Sequence, residues 1–492
     1  MTTEVRRADR SRVVAQAQAL LDEGWRLALV AAHQDQNGFR VVYLFLRPGR
    51  DPLELWLPVP GDDVWIPTLS GVSYPGGRFE REVRDLYGID PRGHPLPRRM
   101  VRHGHWPAGY YPMLSDAAPH PPFEPDVGSY PFVEVHGDGV YEIPVGPVHA
   151  GLIEPGHFRF SVVGETILRM KARLWFVHRG VEKLFEGRPV EDGIELAERI
   201  SGDTAVGHTL AYVMAVEQAT GARVCAADHA RRALLLELER LYNHVNDLGA
   251  IVNDVGHGIL HAHTQRLRED LLRHNKHVTG HRLLRGGVRI GGATLRAEPD
   301  LGLLRRVARE TAEIVEIALG NHVVADRLAG TAILDGKQAR LMGTLGYVAR
   351  ASGLTIDARV DHPFVELPSA FRPAVRQSGD VEARFLVRAE EVAVSTELVA
   401  QYARMTRGSS PSADPAGGPA GPGQGLGIVE AWRGTLCHRI EIDAGATLRR
   451  VKIVDPSFFN WPALPVALAD TIVPDFPLAN KSFNQSYAGN DL

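Results

Sequence analysis

The sequence predicts an α+β fold in two parts, a small α+β N-terminal domain and a larger, mainly helical domain with short β-type runs. Three observations carry this. The chain has 492 residues, more than one hydrophobic core usually organises. Runs rich in β-formers follow an amphipathic stretch inside the first sixty residues. Long three-and-four apolar stripes then dominate from residue 226 to 404.

Taken in order, Ser11 is positioned to cap a helix whose apolar positions are Val13, Val14, Ala17, Leu20 and Leu21. Phe39 to Leu46 and Leu53 to Leu57 read as strands, with Pro48 and Gly49 turning the chain between them. The prolines at 119, 121, 122 and 125 interrupt any regular element. The domain assignment is therefore 1–117, a Pro-rich linker at 118–128, and 129–492. Tyr141 to Ile167 alternates short β-type runs with Gly and Pro. Helical stripes occupy Ala226 to Val252, Gln265 to Leu284, Asp300 to Ile317 and Val381 to Arg404. Residues 409–425 (SSPSADPAGGPAGPGQG) lack apolar surface to offset their ordering entropy and read as a mobile loop. From Gly427 the pattern returns to β-type.

Composition narrows the function classes. Apolar residues are 44% and charged residues 23%, which excludes wholesale disorder. The formal net charge is −4, so no nucleic-acid partner is indicated. The first ten residues carry charges where an export signal needs an apolar core. The longest weakly polar stretch, Ala205 to Val216, is too short for a bilayer core of ~30 Å and contains His208. The expectation is a cytoplasmic chain, peripheral on the inner face of the cell membrane through partners. Two cysteines, Cys225 and Cys437, cannot form a four-cysteine metal site.

Generic motifs are few. No phosphate-cradling GxxxxGK[ST] and no HExxH sequence is present. Six histidines between His257 and His281 include i, i+4 pairs, but without a third ligand at a telling spacing they read as ordinary helix-face residues. Residues 79–99 (FEREVRDLYGIDPRGHPLPRR) read, on charge alone, as a solvated helix followed by a turn.

That run nevertheless resembles the signature of the C-type subunit of respiratory complex I. Further segments resemble the D-type subunit of complex I and the large subunit of group 4 nickel–iron hydrogenases. They are Ile143 to His149, Glu154 to Arg159, His178 to Lys183, Glu198 to Thr204 with His208, Arg240 and His244, Arg289 to Gly292, Val429 to Gly434, and Ala479 to Leu492. A C-type module fused to a D-type module is the layout of the large subunit of formate hydrogenlyase and hydrogenase-4. The resemblance implies a hydrogenase-large-subunit-like second domain, mainly helical with small peripheral sheets. It also associates the chain with NADH-quinone oxidoreductase complexes, with their NAD binding, and with formate hydrogenlyase.

A nickel–iron hydrogenase holds its metals with four cysteines, whose soft anionic thiolates bridge both ions. The family alignment puts Ser201, Thr204, Asn484 and Tyr487 at those positions. Neutral hydroxyls and an amide do not replace thiolates, so no metal is expected there and the four residues line a vacated cavity. The resemblance assigns Glu154 to proton relay, His157 to quinone contact and Asp254 to pairing with His157. It places Arg199 close to a [4Fe–4S] cluster of the neighbouring subunit. Gly202 stands where complex I has its quinone-gripping tyrosine, and Leu284 where it has a cluster-side histidine. His208 reads as a packed helix residue.

The leading reading is the large subunit of a membrane-associated oxidoreductase. It takes electrons from a B-type iron–sulfur subunit and passes them to a quinone-like acceptor, with no cofactor bound by the chain itself. Membrane-arm subunits complete the assembly. A structural coupling subunit without an acceptor site is the alternative, and an active formate hydrogenlyase hydrogenase the second alternative.

Overall fold

A computed structural model describes residues 3–125, 130–150, 153–409 and 422–492. Strands β1 (Glu4–Arg7), β2 (Arg26–Asp35), β3 (Gly38–Leu46) and β4 (Leu53–Pro60) form a sheet in the order β1-β4-β3-β2. Its β2–β3 and β3–β4 pairs are antiparallel, and β1 runs parallel to β4. Helix α1 (Val13–Asp22) buries Val13, Ala17 and Leu20, as the stripe predicts. Its cap is Arg12 rather than Ser11, because the Ser11 hydroxyl donates to Asp9 at 2.5 Å.

Helix α2 (Tyr74–Tyr87) lies between two short parallel strands, β5 (Trp65–Pro67) and β6 (Asp90–Arg92). Ser73 caps it by accepting from Gly76 N at 3.1 Å, and Gly88 ends it with φ 77°. Its carboxylates are not solvated, while Arg81 and Arg84 stay partly exposed. Glu80, Glu82 and Asp85 are buried. Lys452 Nζ donates to Glu82 at 2.6 Å, and the Asp85 carboxylate accepts from the Met100 and Val101 amides at 2.6 and 2.8 Å. These partners offset part of the desolvation of Glu82 and Asp85. Phe79 stacks on Phe458 at 4.3 Å between ring centroids.

The second part opens with an antiparallel sheet of β7 (Val140–Val145), β8 (His157–Val163) and β9 (Thr166–Arg173). Short helices α3 (Val181–Phe185) and α4 (Gly193–Ala197) lead into α5 (Ala205–Thr220), α6 (Ala226–Asp254) and α7 (Gly258–Thr279). Helix α7 starts before the expected Gln265 and stops before Leu284, because Gly280 takes φ 95°. The two-residue strands β10 (Val288–Arg289) and β11 (Gly292–Ala293) precede α8 (Leu301–Gly320), capped by Asp300. Four short helices follow, α9 (His322–Leu328), α10 (Gly336–Met342), α11 (Gly346–Ala351) and α12 (Ala358–Asp361). The long α13 (Val381–Thr406) packs along α6.

Strands β12 (Gly423–Ala431), β13 (Gly434–Ile442) and β14 (Leu448–Val454) form an antiparallel sheet against α5. This corrects the mobile-loop reading at its end: Gly423 to Gly425 belong to β12, while residues 410–421, and 126–128 of the linker, lie outside the described residues. The glycines serve close approach. A Cβ on Gly425 or Gly427 would stand 1.9 Å from Ala215 O or 1.8 Å from Ala211 O, so only glycine lets β12 lie on the α5 backbone.

The chain ends in α14 (Pro456–Asn460), α15 (Ala463–Ala467), a 3-10 turn at Val473–Asp475, α16 (Phe476–Phe483) and α17 (Tyr487–Asp491). The sheet of the first unit shares its apolar core with Leu426, Ile428, Val454, Phe458 and Phe459 of the second. Among the described residues no helix is long and apolar enough to cross a membrane.

Candidate functional site

Three segments meet at an open cleft of about 730 Å³. The α4–α5 junction brings Ser201, Gly202 and Asp203, the turn after β12 brings Arg433, and the end of α16 with the turn into α17 brings Asn480, Lys481 and Asn484 to Ala488. Glu154 completes the wall from the segment before β8, its Oε2 accepting from Ala488 N at 3.0 Å. Gly156 lets this segment approach: a Cβ there would meet the Tyr487 ring at 2.6 Å.

Arg433 organises the cleft. Its two terminal nitrogens donate to the two Asp203 oxygens, each at 2.6 Å, and its Nε donates to Asn484 O at 2.7 Å. Burial opposes ionisation of Asp203, but the Arg433 guanidinium and hydrogen bonds from Ser201 and Thr204 override it and hold the carboxyl below its usual range. The Ser201 hydroxyl donates to Asp203 and pairs with the Ser486 hydroxyl, both at 2.9 Å. Thr204 lies buried behind, donating to Asp203 and accepting from Trp432 Nε1 at 3.1 Å. Asn484, at φ 38°, donates from Nδ2 to Asp247 at 2.6 Å.

The four positions that the resemblance equates with metal-ligand cysteines thus present two hydroxyls, an amide and a phenol. Three of them are already engaged with Asp203, Ser486 or Asp247. Cys225 is exposed at the start of α6, its thiol 3.4 Å from Asp228, and Cys437 is buried in β13; neither lines the cleft. A nickel–iron centre does not fit this donor set, which offers no soft sulfur. Among the described residues no group of three His, Cys, Asp or Glu side chains could hold a metal ion.

The expected His157–Asp254 pair is not formed. His157, at the start of β8, lines a different cavity beside Phe132 and Arg159. Its pKa is lowered by burial and then by Arg159, with no contribution from Asp254. Asp254, the last residue of α6, is raised by burial and opposed by Lys481 and His261. Two neighbouring residues of one segment, Glu154 and His157, therefore face separate cavities. Arg199 lies half exposed just after α4 and pairs with Glu195 at 2.9 Å.

Sequence reasoning missed Arg433, Asp203 and Lys481 as cleft residues. Val429 to Gly434 carries the resemblance as a segment, yet only the fold shows Arg433 reaching Asp203. His208 is packed, as read, but in a polar setting: its ring nitrogens lie 3.1 Å from His438 Nε2 and 3.1 Å from Asp455 Oδ2, all three residues buried. Below the cleft, burial pushes Asp491 up to about 6, although its carboxylate accepts from Val177 N at 3.0 Å.

Comparison with known proteins agrees with this architecture. Residues 6–122 match the family "Respiratory-chain NADH dehydrogenase, 30 Kd subunit", and residues 254–417 match "Respiratory-chain NADH dehydrogenase, 49 Kd subunit". Formate hydrogenlyase subunit 5 of Escherichia coli (strain K12) is 33% identical over 84% of this chain and 74% of its own length. Carbon monoxide-induced hydrogenase of Rhodospirillum rubrum is 30% identical, covering 70% of this chain and 97% of that protein. A solved chain of the membrane-bound sulfane sulfur reductase, an archaeal respiratory membrane complex, superposes with TM-score 0.64 and 25% identity over 72% of this chain and 99% of that one. With its 30-kDa-type and 49-kDa-type units fused in one polypeptide, the chain belongs to the family of large subunits that includes formate hydrogenlyase subunit 5, hydrogenase-4 component G and the C/D subunit of NADH-quinone oxidoreductase.

Proposed function

We propose that this large subunit works in a complex I-like, hydrogenase-4-like membrane complex. It takes electrons from a B-type iron–sulfur partner and delivers them to a quinone-like acceptor in the Glu154–Arg433 cleft. The carrying observation is the cleft itself: its lining offers space, hydrogen-bond donors, the Lys481 cation, the Arg433–Asp203 pair and the Glu154 carboxyl group. Reducing a quinone takes two electrons and two protons and builds negative charge on its oxygens before protonation. Lys481 stabilises that charge while Arg433 holds the wall through Asp203, and Glu154 hands over one proton, the second coming from solvent that enters the open cleft. Arg199, half exposed just after α4, is available to face the partner's [4Fe–4S] cluster, where a fixed cation favours the reduced state. The chain itself binds no cofactor in this reading, and it lies peripherally on the membrane through its partners.

The structural neighbour's name favours a second acceptor for the same cleft, a sulfane sulfur compound, whose S–S bond is cleaved by two electrons. The test is quinol formation by the purified complex reduced through its iron–sulfur partner, with polysulfide as a parallel acceptor. Glu154→Gln is expected to lower turnover ~100-fold, the usual worth of a positioned acid. Lys481→Ala is expected to lower it about tenfold. Unchanged turnover in both variants would overturn the reading.

A further inference from the structure

The cavity that His157 faces differs from the cleft in its lining. It is an open hollow of about 600 Å³ between the loop after β6 and the β8–β9 sheet. Arg98, Arg99 and Arg102 enter it from the first unit, Arg159 and Arg173 from the second, with His103 and His157 alongside. Among its described lining residues there is no carboxylate.

The nearby anions do little to balance this charge. Asp85 lies behind the loop, with one oxygen committed to the amides of Met100, Val101 and Arg102. Arg99 donates to the neutral carbonyls of His103 and Trp106, Arg102 to those of Pro107 and Tyr110, and Arg173 to those of Met100 and Arg102. Arg159 reaches one carboxylate, Glu142, at 3.3 Å. Arg102 and Arg173 are 5% and 4% exposed, and burial lowers the pKa of both. Three buried nitrogens, Arg102 Nε, Arg159 Nε and His157 Nε2, have no hydrogen-bond partner among the described residues. Guanidinium groups gathered around one hollow, two of them buried, repel one another and leave donors unsatisfied, so the arrangement calls for a counter-charge.

The geometry points to a phosphate-bearing anion as the ligand of this cavity, its carbon portion resting on the rings of Tyr130, Phe132 and Phe176. A phosphate monoester carries close to two negative charges with three acceptor oxygens, which suits several converging guanidinium forks better than a single carboxylate does. The rings are pre-positioned, since Arg173 lies 4.5 Å over Tyr130 and Arg159 lies 4.8 Å over Phe132. The ligand can be a soluble ester or the headgroup of an anionic phospholipid.

The test is equilibrium dialysis of the full chain against phenyl phosphate in phosphate-free buffer. Saturable binding is expected, weakened at least ~10-fold in Arg98→Gln/Arg159→Gln, the worth of one or two charge-assisted hydrogen bonds. Arg159→Gln alone, which leaves the loop after β6 untouched, is expected to weaken it about fivefold. Arg305→Gln, on the exposed side of α8, serves as control. Vesicles of phosphatidylcholine with phosphatidic acid separate the two sources. Vesicle binding displaced by phenyl phosphate assigns a lipid headgroup; phenyl phosphate binding without vesicle binding assigns a soluble ester. No saturable binding, equal binding by the variants, or capture of a polyglutamate peptide in place of phenyl phosphate would overturn the proposal. None of these readings depends on turnover in the Glu154 cleft.

Discussion

Arg433 and Asp203 face each other through two parallel hydrogen bonds of 2.6 Å, and the same guanidinium donates to the carbonyl of Asn484. One side chain therefore ties together the α4–α5 junction, the β12–β13 turn and the α16–α17 turn. The bidentate geometry is the kind in which arginine outperforms lysine. The carboxylate is partly open to the cleft while the guanidinium is buried, so the cation depends on the pair more than the anion does.

Asp203→Asn removes the counter-charge of a buried arginine. A fully buried pair broken in this way costs ~3–5 kcal/mol. The open side of Asp203 lets water compensate in part, so a loss of about 2 kcal/mol is expected, read from urea unfolding.

Gly427→Ala places a methyl group 1.8 Å from Ala211 O. The strand must lift from α5 or the helix must bend. Destabilisation of at least ~3 kcal/mol is expected, visible as a lowered thermal midpoint. Ala431→Gly in the same strand adds no atoms and is expected to cost only ~1 kcal/mol.

Asp491 supplies a pH signature. Burial raises its folded-state pKa to about 6, from 3.8 in the unfolded chain. The folded state therefore holds a proton that the unfolded state releases, and stability falls as pH rises from about 4 to about 6. The linked loss is ~3 kcal/mol at full shift. Asp491→Asn, which cannot ionise, is expected to remove this fall, as measured by urea titrations across that range.

The two thiols should differ in reactivity. Cys437 is buried and its pKa is pushed up to about 11 by desolvation, while Cys225 is exposed. At neutral pH N-ethylmaleimide is expected to label Cys225 first, with Cys437 reacting ~100-fold more slowly until the protein is unfolded. Mass spectrometry of tryptic peptides reads the order directly.

How far the fold was legible in the sequence depends on the range of the interactions. The stripes of α6, α8 and α13 are local patterns, and those helices form within a few residues of where periodicity puts them. The burial of α2 was illegible, because Lys452 and Phe458 lie more than 360 residues from Glu82 and Phe79. Gly-x-Gly spacing before Leu426 looked like low complexity until α5 supplied the backbone that requires it. Ser201, Asn484, Tyr487 and Glu154 do meet at one cleft. Alignment alone could not show that a step of three residues, from Glu154 to His157, crosses from one cavity to another.

The contact of Phe79 with Phe458 and Phe459 bears on protein engineering. Grafting the first module of one relative onto the body of another, with a splice near residue 118, severs a single apolar interior rather than a tether. A workable chimera must carry the matching stretch from Leu426 to Phe459 along with the donor module, or redesign both faces together. Because α14 follows β14 directly and leads toward α17, a mismatch at that seam would distort the cleft as well as the joint.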